Sequence, residues 1–149
     1  MPSIKIIIPL QVVDIPPIGI HLLVKVKINN KVANLVLDTG ASQTVLDSNR
    51  IDRFIKETKF KKTNGHASGV GTNKLKSHFV PVKKFQIGKI VLKKLELVML
   101  DLIHVNNSYA MIDVKLVDGV LGGDLLNKLS ATINYKKKVM AIEYNAENR

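Results

Sequence analysis

The segment "DTGAS", residues 38–42, contains the side chains best suited to chemistry. Asp38 follows an apolar, strand-like run, where burial of a carboxylate is costly. Gly40 allows another backbone to approach closely, so this turn can hold the carboxylate rigidly. Two such carboxylates around one water molecule can hydrolyse a peptide bond, one ionised as the base and the other protonated as the acid. Asp38 is therefore a candidate acid–base group.

The sequence contains one carboxylate of this kind. Neither Asp113 nor Asp118 is followed by the Thr-Gly or Ser-Gly that the turn requires. We expect an identical subunit to supply the second carboxylate across a two-fold axis. The Asp-Thr-Gly pattern alone is weak, because a strand-end aspartate can also bond its own backbone in a simple turn.

Alternating apolar and polar residues predict the strands that position Asp38. In "LVKVKIN" alternate side chains face opposite sides of a sheet. The pair Asn29 and Asn30 is typical of a tight hairpin turn. The next strand, residues 32–37, should therefore return antiparallel and end at Asp38.

The segment after the turn predicts a short strand, "TVLD", followed by a short amphipathic helix. Asp47 or Ser48 is suited to cap this helix, and Ile51, Phe54 and Ile55 would share its apolar face.

Strands also dominate residues 74–102, with a turn at Gly88. We predict an irregular stretch near Asn106, and then a helix over residues 125–129 with Asp124 close to its N-terminus. Two final strands, "ATINY" and "KVMAIEY", complete the chain. "SIKIIIPL" near the start and "KVMAIEY" are candidates for a sheet at a subunit interface.

The composition predicts one globular domain over residues 1–149. The chain is 46% hydrophobic but only 5% aromatic, so Val, Ile and Leu must form the core, which favours a β-rich fold. There is no cysteine, and the four histidines lack ligand spacing, so we predict no metal site. No apolar run approaches membrane-spanning length, which predicts a soluble, cytoplasmic protein without a membrane partner.

The positive charge is concentrated in one segment. Residues 50–94 contain 13 basic and two acidic residues, so they account for the whole net charge of +11. Such a segment can bind polyanions. However, Arg50 and Arg53 are its only arginines, and its lysines mostly alternate with apolar residues, as on the wet side of a sheet. A solvated face is therefore favoured over nucleic-acid binding.

Three features together resemble the retropepsin-like aspartic proteases of the single-domain bacterial and retroviral type, over residues 19–144. They are the Asp-Thr-Gly turn, the glycine-rich "KTNGHASGVGTNK" and the second turn with its helix, "VLGGDLL". The resemblance implies an all-β subunit, a closed β-barrel or sandwich with one or two short helices and a flap hairpin. It also implies a homodimer that cleaves a peptide or protein substrate without a cofactor.

The resemblance assigns roles to individual residues. Asp38 would be the acid–base group, Thr39 would bond across the dimer axis, and Gly40 would contact substrate through its main chain. Six residues would line the substrate site: Ala41, Ser42, and the flap residues Ser68, Gly69, Val70 and Gly71. Gly122 would support the turn from beneath. Retroviral members have an acid at the position of Ser42 and an arginine at that of Gly123, and both are absent here.

Two alternatives remain open. A catalytically silent dimer of the same fold would bind extended peptides in the same groove, and a basic nucleic-acid-binding domain would centre on residues 50–94. The intact Asp-Thr-Gly favours the enzyme over the first, and the scarcity of arginine disfavours the second.

Overall fold

The computed structural model describes residues 3–17, 19–56 and 78–145, and most of them lie in β-strands. The strands are β1 (Ile4–Pro9), β2 (Gln11–Ile15), β3 (Gly19–Ile28), β4 (Lys31–Leu37), β5 (Val45–Asp47), β6 (His78–Ile87), β7 (Ile90–Leu100), β8 (Gly119–Leu121), β9 (Thr132–Asn134) and β10 (Val139–Tyr144). Two short α-helices, α1 (Ile103–Met111) and α2 (Gly123–Lys128), and a 3₁₀ turn (Ile51–Arg53) complete the described part. The predicted all-β class with one or two short helices is confirmed.

The larger sheet closes into a barrel. Its strands follow the order β2-β3-β4-β8-β5-β7-β6, and a further pairing joins β3 to β6 through Lys27 with Gln86 and Ile28 with Phe85. Six strands therefore form a closed ring that leaves β2 outside it, and closure satisfies the backbone groups that an open sheet would expose.

The two predicted hairpin turns, one at Asn29 and Asn30 and the other at Gly88, are both present. Asn29 and Asn30 adopt positive φ angles of 50° and 72°, as a two-residue hairpin of this twist requires. The Asn29 side chain accepts a hydrogen bond from the Lys84 backbone N–H at 3.0 Å, which ties the turn to β6. Gly88 has a φ of 60° between β6 and β7. The strand ending at Leu37 is therefore positioned as the sequence predicted.

The core fills the barrel from alternate positions of its strands. In β3 the inward residues Leu22, Val24, Val26 and Ile28 are buried, while the lysines between them are exposed. Ile51, Phe54 and Ile55 are also buried against this core, as predicted. A smaller cluster on the other side of β3 packs α1 against the barrel; it contains Val13, Ile15, Leu23, Tyr109 and Val117.

The prediction of a capped helix after β5 was wrong. The chain forms only a 3₁₀ turn, preceded by Arg50 with no side-chain cap. The Asp47 side chain is instead 1% exposed and accepts hydrogen bonds from the backbone N–H groups of Asn49 and Leu102, both at 3.1 Å. The buried carboxylate is satisfied by Asn49 two residues away and by Leu102 and Asn106 from distant segments, and it does not cap the 3₁₀ turn.

The irregular stretch predicted near Asn106 was also wrong, because this segment forms α1. Asn106 is buried, donates to the Asp47 carboxylate at 3.1 Å and accepts from the Val117 N–H at 2.7 Å. At the start of the helix, Asp101 accepts from the Asn49 amide and the Ile103 N–H, which hold the pKa of its carboxyl below the usual value. Long-range contacts stabilise this helix.

A second sheet of three strands has the order β1-β10-β9. Ile4 pairs with Tyr144 and Pro9 with Val139, so the two terminal segments pair with each other within one chain. Within this sheet β1 and β9 are the edge strands. None of the described helices is long and apolar enough to cross a membrane.

Candidate active site

The turn that follows β4 holds Asp38 in a fixed position at the barrel surface. The Asp38 N–H donates to the Leu121 carbonyl at 3.0 Å, and the Ala41 N–H donates to the Asp38 carbonyl at 3.2 Å. The Gly40 N–H donates to the Asp38 carboxylate at 2.9 Å. Asp38, Thr39 and Gly40 are exposed in the single chain. The carboxylate is therefore oriented by its own turn and open on one side.

The parallel pairing of β4 with β8 places a second turn beside the first. Leu37 pairs with Leu121, so Asp38 lies next to Gly122. Strand β5 then pairs antiparallel with β8, and Val45 lies opposite Val120. The two segments predicted to act together thus meet through backbone pairing.

Hydrogen bonds join the residues after Asp38 to the second turn. The Gly123 N–H donates to the Ala41 carbonyl at 2.7 Å, and the Asp124 N–H donates to the Ser42 carbonyl at 3.1 Å. The buried Thr44 hydroxyl accepts from the Gly122 N–H at 3.0 Å and donates to the Asp124 carboxylate at 2.7 Å. These bonds lie at Ser42 and Gly123, where the acid and the arginine of the retroviral members are absent, so backbone contacts and a Thr–Asp pair connect the two turns.

Gly122 is required here by space. A Cβ atom on Gly122 would lie 2.5 Å from the Gln43 carbonyl oxygen and 2.9 Å from that of Ala41, both of them backbone atoms. A Cβ on Gly123 would lie 3.4 Å from the Ala41 oxygen, an ordinary contact. The predicted supporting position of Gly122 beneath the turn is therefore confirmed by the packing.

A groove of about 360 Å³ lies beside Asp38 and Thr39. Its apolar lining includes Ile20 and Tyr135, which are 51% and 66% exposed. Isolated exposed apolar side chains are ordinary, but several around one groove mark a contact surface. The groove is therefore suited to a partner with apolar side chains.

His21 lines the same groove and contacts helix α1. Its Nδ1 lies 2.6 Å from the hydroxyl of Tyr109, which is fully buried. Burial raises the pKa of the Tyr109 hydroxyl to about 12, because the phenolate would be poorly solvated. The hydroxyl therefore stays protonated at neutral pH and can donate to Nδ1, which would leave the other ring nitrogen of a neutral His21 as the N–H donor.

Tyr109 should make folding less stable at alkaline pH. The pKa of its hydroxyl rises from 10.0 to about 12 on folding. The contribution of this group to the free energy of unfolding is therefore complete below pH 10 and is lost as the pH rises toward 12. Between pH 9 and 11, wild type should lose about 1.4 kcal/mol more of its free energy of unfolding than Tyr109→Phe. Urea titrations at both values measure this. Equal losses in Tyr109→Phe and wild type would contradict the assignment.

The buried acids of the described part are engaged elsewhere. Asp118 is 3% exposed and accepts from the Asn34 N–H, from Arg50 and from Arg53. It is level with Asn34, which lies four residues before Asp38, or about 13 Å along a strand. Asp118 is therefore too distant to share a water molecule with Asp38 in one subunit.

The other predicted site residues are placed as follows. Ala41 is partly buried and Ser42 is exposed, and both directly follow the Asp38 turn. Ser68, Gly69, Val70 and Gly71, the predicted flap, lie outside the described residues. Among the described residues no group of three His, Asp or Glu side chains could hold a metal ion.

Sequence reasoning missed three residues near the turn: His21, Thr44 and Asp124. Asp124 was assigned only to the helix N-terminus, where it does accept from the Leu125 N–H at 2.7 Å. Its pairing with Thr44 joins positions 80 residues apart, and His21 is joined to Tyr109 across 88 residues. A single sequence carries no signal for either pair.

The chain belongs to the aspartyl protease family, whose model matches residues 24–125. The chain is similar to a retropepsin-like aspartic protease from Rickettsia conorii, with 19% identity, a TM-score of 0.57, and coverage of 95% of this chain and 92% of that chain. It is also similar to the retroviral protease-like domain of Ddi1 from Leishmania major, with 16% identity, a TM-score of 0.56, and coverage of 82% and 87%. No curated protein sequence matches the chain. The fold is therefore retropepsin-like.

Proposed function

We propose that this protein is an aspartic endopeptidase whose active site combines Asp38 from two identical subunits. One observation carries the proposal: the Asp38 carboxylate is oriented at an exposed turn by the Gly40 N–H, 2.9 Å away, beside a groove with apolar walls. The family membership of the chain supports the same chemistry.

The reaction needs two carboxylates in contact with one water molecule. Like charges at this distance cannot both ionise, so the pair holds one proton at the working pH. The ionised Asp38 takes a proton from the water as it attacks the peptide carbonyl, and the protonated Asp38 donates to the carbonyl oxygen. Transfer of a proton to the amide nitrogen then releases the amine and the new carboxyl group.

The partner subunit would contact the groove beside Asp38 and Thr39. Ile20 of β3 lines this groove together with Ile133 of β9 and Tyr135, the first residue after β9, and β9 is an edge strand of the three-stranded sheet. Covering these apolar side chains would remove them from water and bring the second Asp38 to the site. Thr39 is exposed at the same place, as a contact across the axis requires.

A charge in this surface should weaken the dimer. Tyr135→Glu places a carboxylate where an apolar contact is expected, and the dimer dissociation constant should rise at least about tenfold. Sedimentation velocity over a dilution series measures it. Met111→Glu introduces the same charge at a side chain that is 85% exposed at the end of α1, and it should dimerise like wild type. Unchanged dimerisation of Tyr135→Glu would reject this surface.

Digestion of a mixed peptide library over a pH series tests the proposed activity. Cleavage should be second order in protein at low concentration, because the site exists only in the dimer. A statine inhibitor, which mimics the tetrahedral intermediate, should block it. A dimer that binds library peptides and cleaves none would instead be the silent peptide-binding module, and a fully active monomer would refute the shared site.

A further inference from the structure

A second pocket, of about 400 Å³, lies toward the opposite end of β4 from Asp38. Three separate segments meet there, contributing Val32 and Asn34, Arg50 and Arg53, and Lys115, Leu116 and Asp118. Val32 precedes Asp38 by six residues, or about 20 Å of extended strand. The pocket is therefore separate from the groove beside Asp38.

A buried carboxylate fixes both guanidinium groups of this pocket. One oxygen of Asp118 accepts from Arg50 Nε at 2.7 Å and from Arg53 Nη1, and the other accepts from the Asn34 N–H at 2.9 Å. Arg53 also lies over the Phe54 ring, 4.9 Å from its centroid. Most of the entropy cost of ordering two long side chains is therefore met by the fold before any ligand binds.

The pocket keeps a surplus of positive charge. Its lining contains Arg50, Arg53 and Lys115 against Asp118 alone, and Asp118 is only 3% exposed. The side chains of Arg50 and Arg53 are 25% and 46% exposed. Each guanidinium has five N–H bonds and uses one on Asp118, which leaves further donors on each group. Two of the few arginines in this lysine-rich chain thus meet at one pocket.

We propose that this pocket binds a phosphate group, as inorganic phosphate or as a small phosphate ester. A dianion with several acceptor oxygens matches two fixed guanidinium groups and an ammonium group better than a single carboxylate would. Val32 and Leu116, 51% and 38% exposed, form an apolar rim that can contact the organic part of an ester. Arg50 and Arg53, two of the 13 basic residues in segment 50–94, thereby acquire a local role that a uniformly solvated face would lack.

Titration of the full chain with sodium phosphate at constant ionic strength, followed by backbone amide NMR, tests the proposal. Saturable shifts are expected at Asn34 and Asp118, and phenyl phosphate should compete for the same amides. Lys115→Gln leaves the Asp118 ion pairs intact and should weaken phosphate binding about tenfold, the loss of one charge-assisted contact. Arg53→Gln should weaken it at least as much.

Matched variants separate a local site from general electrostatic attraction. Lys83→Gln removes the same charge from an exposed position on β6 and should bind phosphate like wild type. Asp38→Asn should also bind it normally, whatever the outcome for peptide cleavage. Shifts that fail to saturate, or equal affinities of Lys115→Gln and Lys83→Gln, would overturn the proposal.

Discussion

Replacing Asp38 by Asn is expected to lower kcat/KM for peptide cleavage by about 10⁴-fold. Asparagine has nearly the same shape and keeps an oxygen that can accept from the Gly40 N–H, so the turn should persist. It cannot exchange a proton with water or with the peptide, so acid–base catalysis is lost. Asp113→Asn is the matched control, because Asp113 is exposed in a turn with a φ of 61°, which asparagine tolerates.

Mixing the two forms tests whether the site is shared. When equal amounts of wild type and Asp38→Asn are refolded together, only dimers with two aspartates should cleave, leaving about one quarter of the activity of the same total amount of wild type. Independent sites in each subunit would leave half. Full cleavage by Asp38→Asn alone would remove Asp38 from the mechanism altogether.

Substituting Gly122 by Ala should lower the free energy of unfolding by about 2–3 kcal/mol. The new methyl group would meet backbone atoms of Gln43 at 2.5 and 2.7 Å, and backbone cannot rotate away as a flexible side chain can. The segment after Asp38 must therefore move. A shift of about 1 Å in a catalytic group can cost about 10²-fold in rate, so kcat should fall by that order.

Gly123→Ala is the matched control for Gly122→Ala, since the same atom is added one residue later at 3.4 Å from its nearest neighbour. It should keep most of the wild-type stability and activity. Urea unfolding and kcat on one cleaved peptide measure both variants. Equal effects of the two substitutions would show that the close approach of the two turns does not position Asp38.

Local sequence determined much of the barrel. The alternation in β3 is satisfied by burial on one side and water on the other, and Asn29 and Asn30 accept the positive φ angles that few other residues tolerate. These preferences act between residues close in sequence, so the amino-acid sequence alone is enough to predict them. The Asp-Thr-Gly turn was predictable for the same reason, because Gly40 bonds Asp38 only two residues away.

Only the tertiary structure decided what the buried polar groups do. Asp47 was predicted as a helix cap and instead accepts a hydrogen bond from Asn106, 59 residues away. Asp118 accepts hydrogen bonds from Arg50 and Arg53, both more than 60 residues away. A buried carboxylate must find donors wherever the folded chain brings them, and that choice follows from barrel closure. Helix α1 could not be predicted from its own sequence, which has weak helical periodicity. Its stability comes from tertiary contacts, because Tyr109 packs against β3 and Asn106 bonds Val117.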